Sequence, residues 1–156
     1  METVATGLNN PRGLNFGPEG ALYVAEAGSG GAGPCENGPE GMRCHGTSGS
    51  ITRLDLRRGA QERVITGLPS LAAPDGSFSI GVHDIAFLRR GDAHVTLGFG
   101  GNPANRQTAF GSAGANLASI AQMVVMPAAI DRIPAIRSLY SGTVWETISA
   151  SLLGHR

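Results

Sequence analysis

The chain has 156 residues and no net formal charge, and 24 of its residues are glycine. A balanced charge argues against the basic surface of a nucleic-acid-binding protein, and the apolar stretches are shorter than the roughly 18 residues of a membrane span. Glycine at about twice its usual share, mixed with Val, Ile, Thr and Leu, predicts short strands joined by many turns.

The first residues, Met1-Glu2-Thr3, lead straight into a patterned segment. A signal peptide would begin with a basic region followed by an apolar centre, and this chain has no such segment. The start of the sequence therefore predicts either a cytoplasmic protein or a gene whose first part is missing.

A β-hairpin is predicted at residues 13–28, GLNFGPEGALYVAEAG. Apolar residues alternate with polar or small ones on both sides of Gly-Pro-Glu-Gly (17–20), at the period that places one strand face on a core. Pro presets φ and Gly supplies a positive φ, which is turn chemistry. Two more alternating strands follow, SITRLDL (50–56) and QERVITGL (61–68), to give four antiparallel strands.

The hairpin pattern recurs 71 residues later, and residues 4–8 (VATGL) match residues 64–68 (VITGL) at an offset of 60. The matched pairs at the larger offset are Leu14 with Ile85, Phe16 with Phe87, Gly20 with Gly91, and Val24 with Val95. Four strands followed by the same pattern again predict one blade of a β-propeller and the start of the next.

The second copy contains two strands within residues 83–100, a loop to about Asn116 and a strand at 117–126. Beyond this strand the repeating pattern of turns and strands ends. Residues 128–140 and 143–153 are interpreted as two short helices.

These elements predict an all-β fold: a partial β-propeller of about one and a half NHL-like four-stranded blades, with an irregular or helical C-terminal tail. Blade one spans about 10–68 and an incomplete blade two about 80–126. The partial propeller is assigned to 1–118, and 119–156 to a divergent tail foreign to the repeat. Since a closed propeller holds about four to eight blades, we expect the chain to be a fragment.

Both cysteines lie in GPCENGPEGMRCHGT, residues 33–47. Cys35, Cys44 and His45 are one ligand short of a closed zinc site and lack its CxxC spacing. A redox pair would also favour CxxC. A metal site, free thiols and a bridge across the loop remain as alternatives.

The segments NNPRGLNFGPEGALYVAEAGSGGAGPC, GSITRLD, VITGLPSLA and GVHDIAF resemble the ScyD/ScyE family of secreted bacterial propellers, named for its link to scytonemin biosynthesis. The resemblance covers residues 4 to about 118. Part of it, around Pro11-Arg12-Gly13-Leu14, is also similar to NHL-repeat and quinoprotein sugar-dehydrogenase propellers. The family implies a secreted or periplasmic protein of about six blades with no securely assigned reaction.

An exported family favours a Cys35–Cys44 disulfide, with His45 as a solvated loop residue. A closed loop of about ten residues contributes roughly 2.5–3 kcal/mol on the chain-entropy model. The same resemblance places Arg12, His83 and Asp84 where propeller strands line the central channel. There they would bind a ligand, act as an acid–base pair, or form only structural hydrogen bonds. Glu26 is a candidate Ca²⁺ ligand, with a turn cap or an ion pair with an Arg as the alternative.

The favoured function is an exported propeller of the ScyD/ScyE type that binds or scaffolds, without cofactor, an unknown small molecule or protein. One alternative is an enzyme like the quinoprotein sugar dehydrogenases or the lactonases, which would use Ca²⁺. The other is a non-functional gene fragment.

Overall fold

The computed structural model describes residues 1–89 and 91–125. Within these ranges the chain forms two antiparallel sheets, so the predicted all-β class is confirmed. The strands are β1 (Pro11–Phe16), β2 (Leu22–Glu26), β3 (Cys35–Gly38), β4 (Gly41–Asp55), β5 (Ala60–Ala72), β6 (Val82–Arg89), β7 (Asp92–Leu97) and β8 (Ser119–Val124). Both helices predicted beyond residue 127, and most of the tail predicted for 119–156, lie outside the described residues.

The first sheet contains the predicted hairpin and the two strands that follow it, in the order β1-β2-β4-β5, with β3 paired to the first half of β4. Leu14 lies opposite Val24 in the hairpin, and Phe16 lies opposite Leu22. The turn between them is closed by the amide of Gly20, which donates to the carbonyl of Gly17 over 2.8 Å.

Strand β4 begins nine residues before its predicted start at Ser50. The glycines of this stretch predicted a loop, but in the structure they allow backbones to meet closely. A Cβ on Gly46 would lie 2.2 Å from the carbonyl oxygen of Gly30, and one on Gly49 would lie 2.9 Å from that of Leu68. Register shifts at both glycines bend β4, and the strand continues across the bends.

The cysteine segment is therefore a β-hairpin that extends the sheet, where the sequence predicted a loop leaving it. Cys35 on β3 lies directly opposite Cys44 on β4, with a Cα–Cα distance of 4.0 Å. The two sulfurs form a disulfide, which confirms the favoured alternative for this pair.

The second sheet has the order β6-β7-β8. Its third strand falls within the segment predicted at 117–126 and continues the sheet past residue 118. The loop predicted before it is wrong in part, because residues 103–116 form a short helix, α1 (Arg106–Phe110), flanked by two 3₁₀ turns. Phe110 of α1 is buried against Leu71, Phe99 and Leu117, so one apolar side chain anchors this turn of helix. No helix within the described ranges is long and apolar enough to cross a membrane.

The main core lies between the two sheets. Tyr23 and Ile51 of the first sheet pack with Ile85 and Val95 of the second, and the rings of Tyr23 and Phe87 have centroids 4.7 Å apart. A smaller cluster lies on the opposite face of the first sheet, where Ala5 and Leu8 of the N-terminal segment cover the buried residues Leu22, Val24 and Leu54. Strand β2 is consequently buried on both faces.

The disulfide predicts a measurable loss of stability on reduction. Because it closes a loop of about ten residues, reduction or the Cys35→Ser/Cys44→Ser double substitution should lower the free energy of unfolding by about 2.5–3 kcal/mol. Urea titration with and without reductant measures this loss, and the double variant, which has no bridge to reduce, is the control. Two free thiols in the denatured, unreduced chain, or an unfolding midpoint unmoved by reductant, would contradict the assignment.

Candidate functional site

The first strands of the two sheets, β1 and β6, lie against each other where both begin. A Cβ on Gly13 would lie only 2.1 Å from Oδ1 of Asp84 and 2.9 Å from the carbonyl oxygen of His83. The repeat aligns Arg12 with His83 and Gly13 with Asp84. The structure therefore brings the predicted residues Arg12, His83 and Asp84 to one junction between the sheets.

The side chains at this junction differ in how firmly the chain holds them. The Arg12 guanidinium donates to the carbonyl of Ser79. Oδ1 of Asp84 accepts from the amide of Ile85 over 2.9 Å. His83 and Asp84 are exposed, so an imidazole and a carboxylate face solvent beside an anchored cation. Such a group can hydrogen-bond a polar ligand of either sign.

Glu26 ends β2, as predicted, and its side chain lies on the face of the first sheet that the N-terminal segment covers. The residue is 0 % exposed. Its carboxylate accepts from Nε and Nη2 of Arg63 over 3.2 and 3.0 Å. The hydroxyl of Thr52 and the amide of Asn9 donate to it as well.

Four donors on two carboxylate oxygens occupy the lone pairs that a cation would need. Of the three roles predicted for Glu26, namely a Ca²⁺ ligand, a turn cap and an ion pair with an Arg, the structure has the ion pair. Its carboxylate oxygens are occupied by these donors and offer no open position toward a Ca²⁺ ion. Across residues 1–89 and 91–125, no three His, Cys, Asp or Glu side chains come together as a metal site.

The charge of Glu26 is stabilised despite its burial. Burial by itself raises the pKa of this carboxyl, but hydrogen bonds from Arg63, the Asn9 amide and Thr52 favour the ionised form more strongly, so the pKa lies below its ordinary value. The group is therefore a buried carboxylate held ionised by its partners. It ties β2, β4, β5 and the N-terminal segment together.

A second buried charged group, the guanidinium of Arg43 on β4, joins the disulfide hairpin to the chain that follows β7. It donates from Nε to Glu36 over 3.0 Å and from Nη1 to the carbonyls of Phe99 and Gly100 over 2.8 and 3.2 Å. Its guanidinium also lies 5.1 Å from the centroid of the Phe99 ring.

His45 was predicted to be a solvated loop residue, and this is wrong. It is buried, with its ring centroid 6.1 Å from that of Phe110. Burial lowers the pKa of His45, so the ring is neutral near pH 7, and its Nε2 has no hydrogen-bond partner among the described residues. His45 is buried because α1 packs on the disulfide hairpin of β3 and β4. The sequence predicted a loop at both places, so it gave no sign of this contact.

Sequence reasoning missed Arg63 and Arg43 as partners because their contacts are distant along the chain. Arg63 is 37 positions from Glu26, and Arg43 is 56 from Phe99. One signal was available for Arg63: residues 61–68 were predicted to form the strand after 50–56. If the order and register of the strands had also been known, this prediction would have placed Arg63 on the second strand over from Glu26, within reach of its carboxylate.

Removing Arg63 should leave the buried carboxylate of Glu26 without its ion-pair partner. In Arg63→Met, Glu26 keeps only two of its donors. Because Glu26 is buried but the Arg63 side chain is 43 % exposed, we expect a loss of about 1–3 kcal/mol in the free energy of unfolding. The double variant Glu26→Gln/Arg63→Met should recover part of that loss because the unpaired charge is gone. Urea unfolding of the single and double variants tests this, with the exposed Arg57→Met as control. A loss in Arg63→Met no greater than in Arg57→Met would contradict the pairing.

Stability should fall in acid through Glu26. Its folded-state pKa is below the ordinary value of 4.5, so its contribution is complete above about pH 4.5 and is lost as the pH falls through the folded pKa. Glu26→Gln should therefore be less stable than the wild type at neutral pH and show a shallower loss below about pH 4.5. Thermal melts across that range measure the slopes, with the exposed Glu62→Gln as control. Parallel wild-type and Glu26→Gln curves would contradict the ionised, buried state.

Comparison with protein-family models, curated proteins and solved structures found no match for this chain. The residues at the junction of the two sheets, and the contacts that hold them there, are therefore the features from which a function can be inferred.

Proposed function

We propose that the chain is a two-sheet portion of an exported β-propeller of the ScyD/ScyE type, and that it serves in binding or scaffolding. The observation that carries the proposal is the juxtaposition of β1 and β6. Residues in equivalent positions of two successive repeats, Arg12 and His83, lie where adjacent first strands meet. In a propeller the first strands of the blades surround a central channel, so this is the arrangement a channel wall requires.

The packing of the sheets supports the same proposal. Successive propeller blades stack face to face, each burying the apolar side of its neighbour. Here the two sheets share one core, and each hairpin turns at a glycine with positive φ, Gly20 or Gly91.

The Cys35–Cys44 disulfide supports export. Disulfides form and persist in oxidising compartments and are rare in the cytosol. A bridge between directly opposed residues of a hairpin has a structural role, because it holds the register of β3 on β4. The bridge is compatible with a secreted or periplasmic location.

The junction favours binding through surface polar groups. His83 and Asp84 are exposed, and the guanidinium of Arg12 is held by the Ser79 carbonyl. A polar small molecule or an extended polypeptide could hydrogen-bond to this mixture of charges. An acid–base reaction would additionally need a substrate held between the two groups.

A ligand screen with a catalytic arm tests the proposal. Amide chemical shifts of the ¹⁵N-labelled chain would be followed against neutral sugars, aromatic acids, short peptides and Ca²⁺. The same sugars would be assayed for quinone-dependent dye reduction. We expect at least one probe to shift the amides of Arg12, His83 and Asp84, and we expect no dye reduction.

Matched variants separate the site from the rest of the surface. His83→Ala and Asp84→Ala should each weaken the response about tenfold, the loss of one good hydrogen bond, whereas the exposed Glu62→Ala should leave it unchanged. Shifts confined to other strands would contradict a junction site. Dye reduction that requires both quinone and Ca²⁺ would replace the binding role with the enzymatic alternative.

A further inference from the structure

The outer face of the first sheet, turned away from the second sheet, carries exposed apolar residues that have buried counterparts. Leu14 and Phe16 on β1 are each 58 % exposed. Their equivalents in the repeat, Ile85 and Phe87 on β6, pack into the core between the sheets. The outer face of the first sheet is therefore equivalent to the inner face of the second.

The outer face of the second sheet is in turn equivalent to the inner face of the first sheet. Ile51 lies opposite Ala25 in the first sheet, and Ile120 lies opposite Thr96 in the second. Because Ala25 and Thr96 are equivalent in the repeat, Ile120 corresponds to Ile51. Ile51 is 0 % exposed, since the second sheet covers it, whereas Ile120 is 71 % exposed.

The N-terminal segment follows the same rule. Leu8 in VATGL matches Leu68 in VITGL. Leu68 packs in the core between the sheets, and Leu8 packs against Leu22 and Val24 on the outer face of the first sheet. The outer face of the first sheet thus resembles the inner face of the second sheet, both in its strands and in the segment that packs on it.

The chain therefore displays on its two outer faces both halves of an interface that it already contains. We propose that a second copy of this chain docks on it head to tail, the outer face of one copy's first sheet packing on the outer face of the other's second sheet. The two faces differ, so the contact is heterologous and repeats until it closes or extends. With the two sheets that residues 1–89 and 91–125 form in each copy, two to four copies would supply the roughly four to eight sheets of a closed ring.

This inference goes beyond the proposed function and does not depend on it. It follows from the repeat, the strand register and the exposure of Phe16 and Ile120. It requires neither a ligand at His83 nor export. If no ligand bound at the junction, the docking proposal would be unaffected, and if no docking occurred, the binding proposal would be unaffected.

Complementation between two blocked variants tests the docking. Docking would have to bury an unpaired carboxylate in Phe16→Glu and in Ile120→Glu. Each substitution should therefore weaken association at least about 100-fold. We expect the wild-type 156-residue chain to associate with rising concentration in light scattering after gel filtration, and each variant to stay monomeric. An equimolar mixture of the two should form a dimer and nothing larger, because each variant keeps the face that the other lacks.

Controls keep the result interpretable. Phe78→Glu alters an exposed aromatic residue in the loop between β5 and β6 and should associate like the wild type. Leu14→Glu and Val124→Glu repeat the design at other exposed positions if a first variant fails to fold by circular dichroism. A wild-type chain that stays monomeric at every concentration would overturn the proposal. So would a mixture that stays monomeric, or dissociation by Phe78→Glu.

Discussion

The packing of the two sheets on each other is the contact on which the rest of the structure depends. A sheet of three to five strands with an apolar face needs a second layer to bury that face. Tyr23 and Ile51 on one side and Ile85 and Val95 on the other provide that layer within a single chain. The approach of β1 to β6, and with it the junction of Arg12, His83 and Asp84, follows from this packing because those strands begin beside the shared core.

The N-terminal segment, on the face of β2 opposite to the second sheet, explains why a charged residue is buried at the end of that strand. Once the second sheet covers one face of β2, the N-terminal segment covers the other, and Glu26 cannot reach water. Its ionised state then depends on donors from three separate segments. The network stabilises the way these segments meet, and we assign it a structural role alongside the disulfide and the Arg43 contacts.

Local pattern was enough to predict most strands but not what lies between them. Alternation and Gly-Pro-Glu-Gly predicted β1 and β2 because both signals are contained within a few residues. The length of β4 was missed because glycine is typical both of loops and of close backbone contacts. The sequence does not show that the backbone of Gly30 lies close to Gly46, which is the contact that accounts for the glycine in this strand. The helix at 106–110 was missed because five residues carry little periodicity, and its stability comes from Phe110 packing against distant residues. For the site, the repeat aligned Arg12 with His83, and the structure places β1 against β6. The Glu26–Arg63 pair could not be predicted in this way, because it required the register of two strand pairs, β2 with β4 and β4 with β5.

The most direct test of the account is the contact between Tyr23 and Phe87, which belong to different sheets. Their ring centroids lie 4.7 Å apart, and burial, together with a hydrogen bond to Glu19, raises the pKa of Tyr23 to about 12. We expect strong nuclear Overhauser effects between the two rings in the folded chain, and we expect them to disappear together with the folded state in a cooperative unfolding transition. Well-resolved rings with no cross-peak between them would show that the two sheets do not pack as described, and would contradict the account.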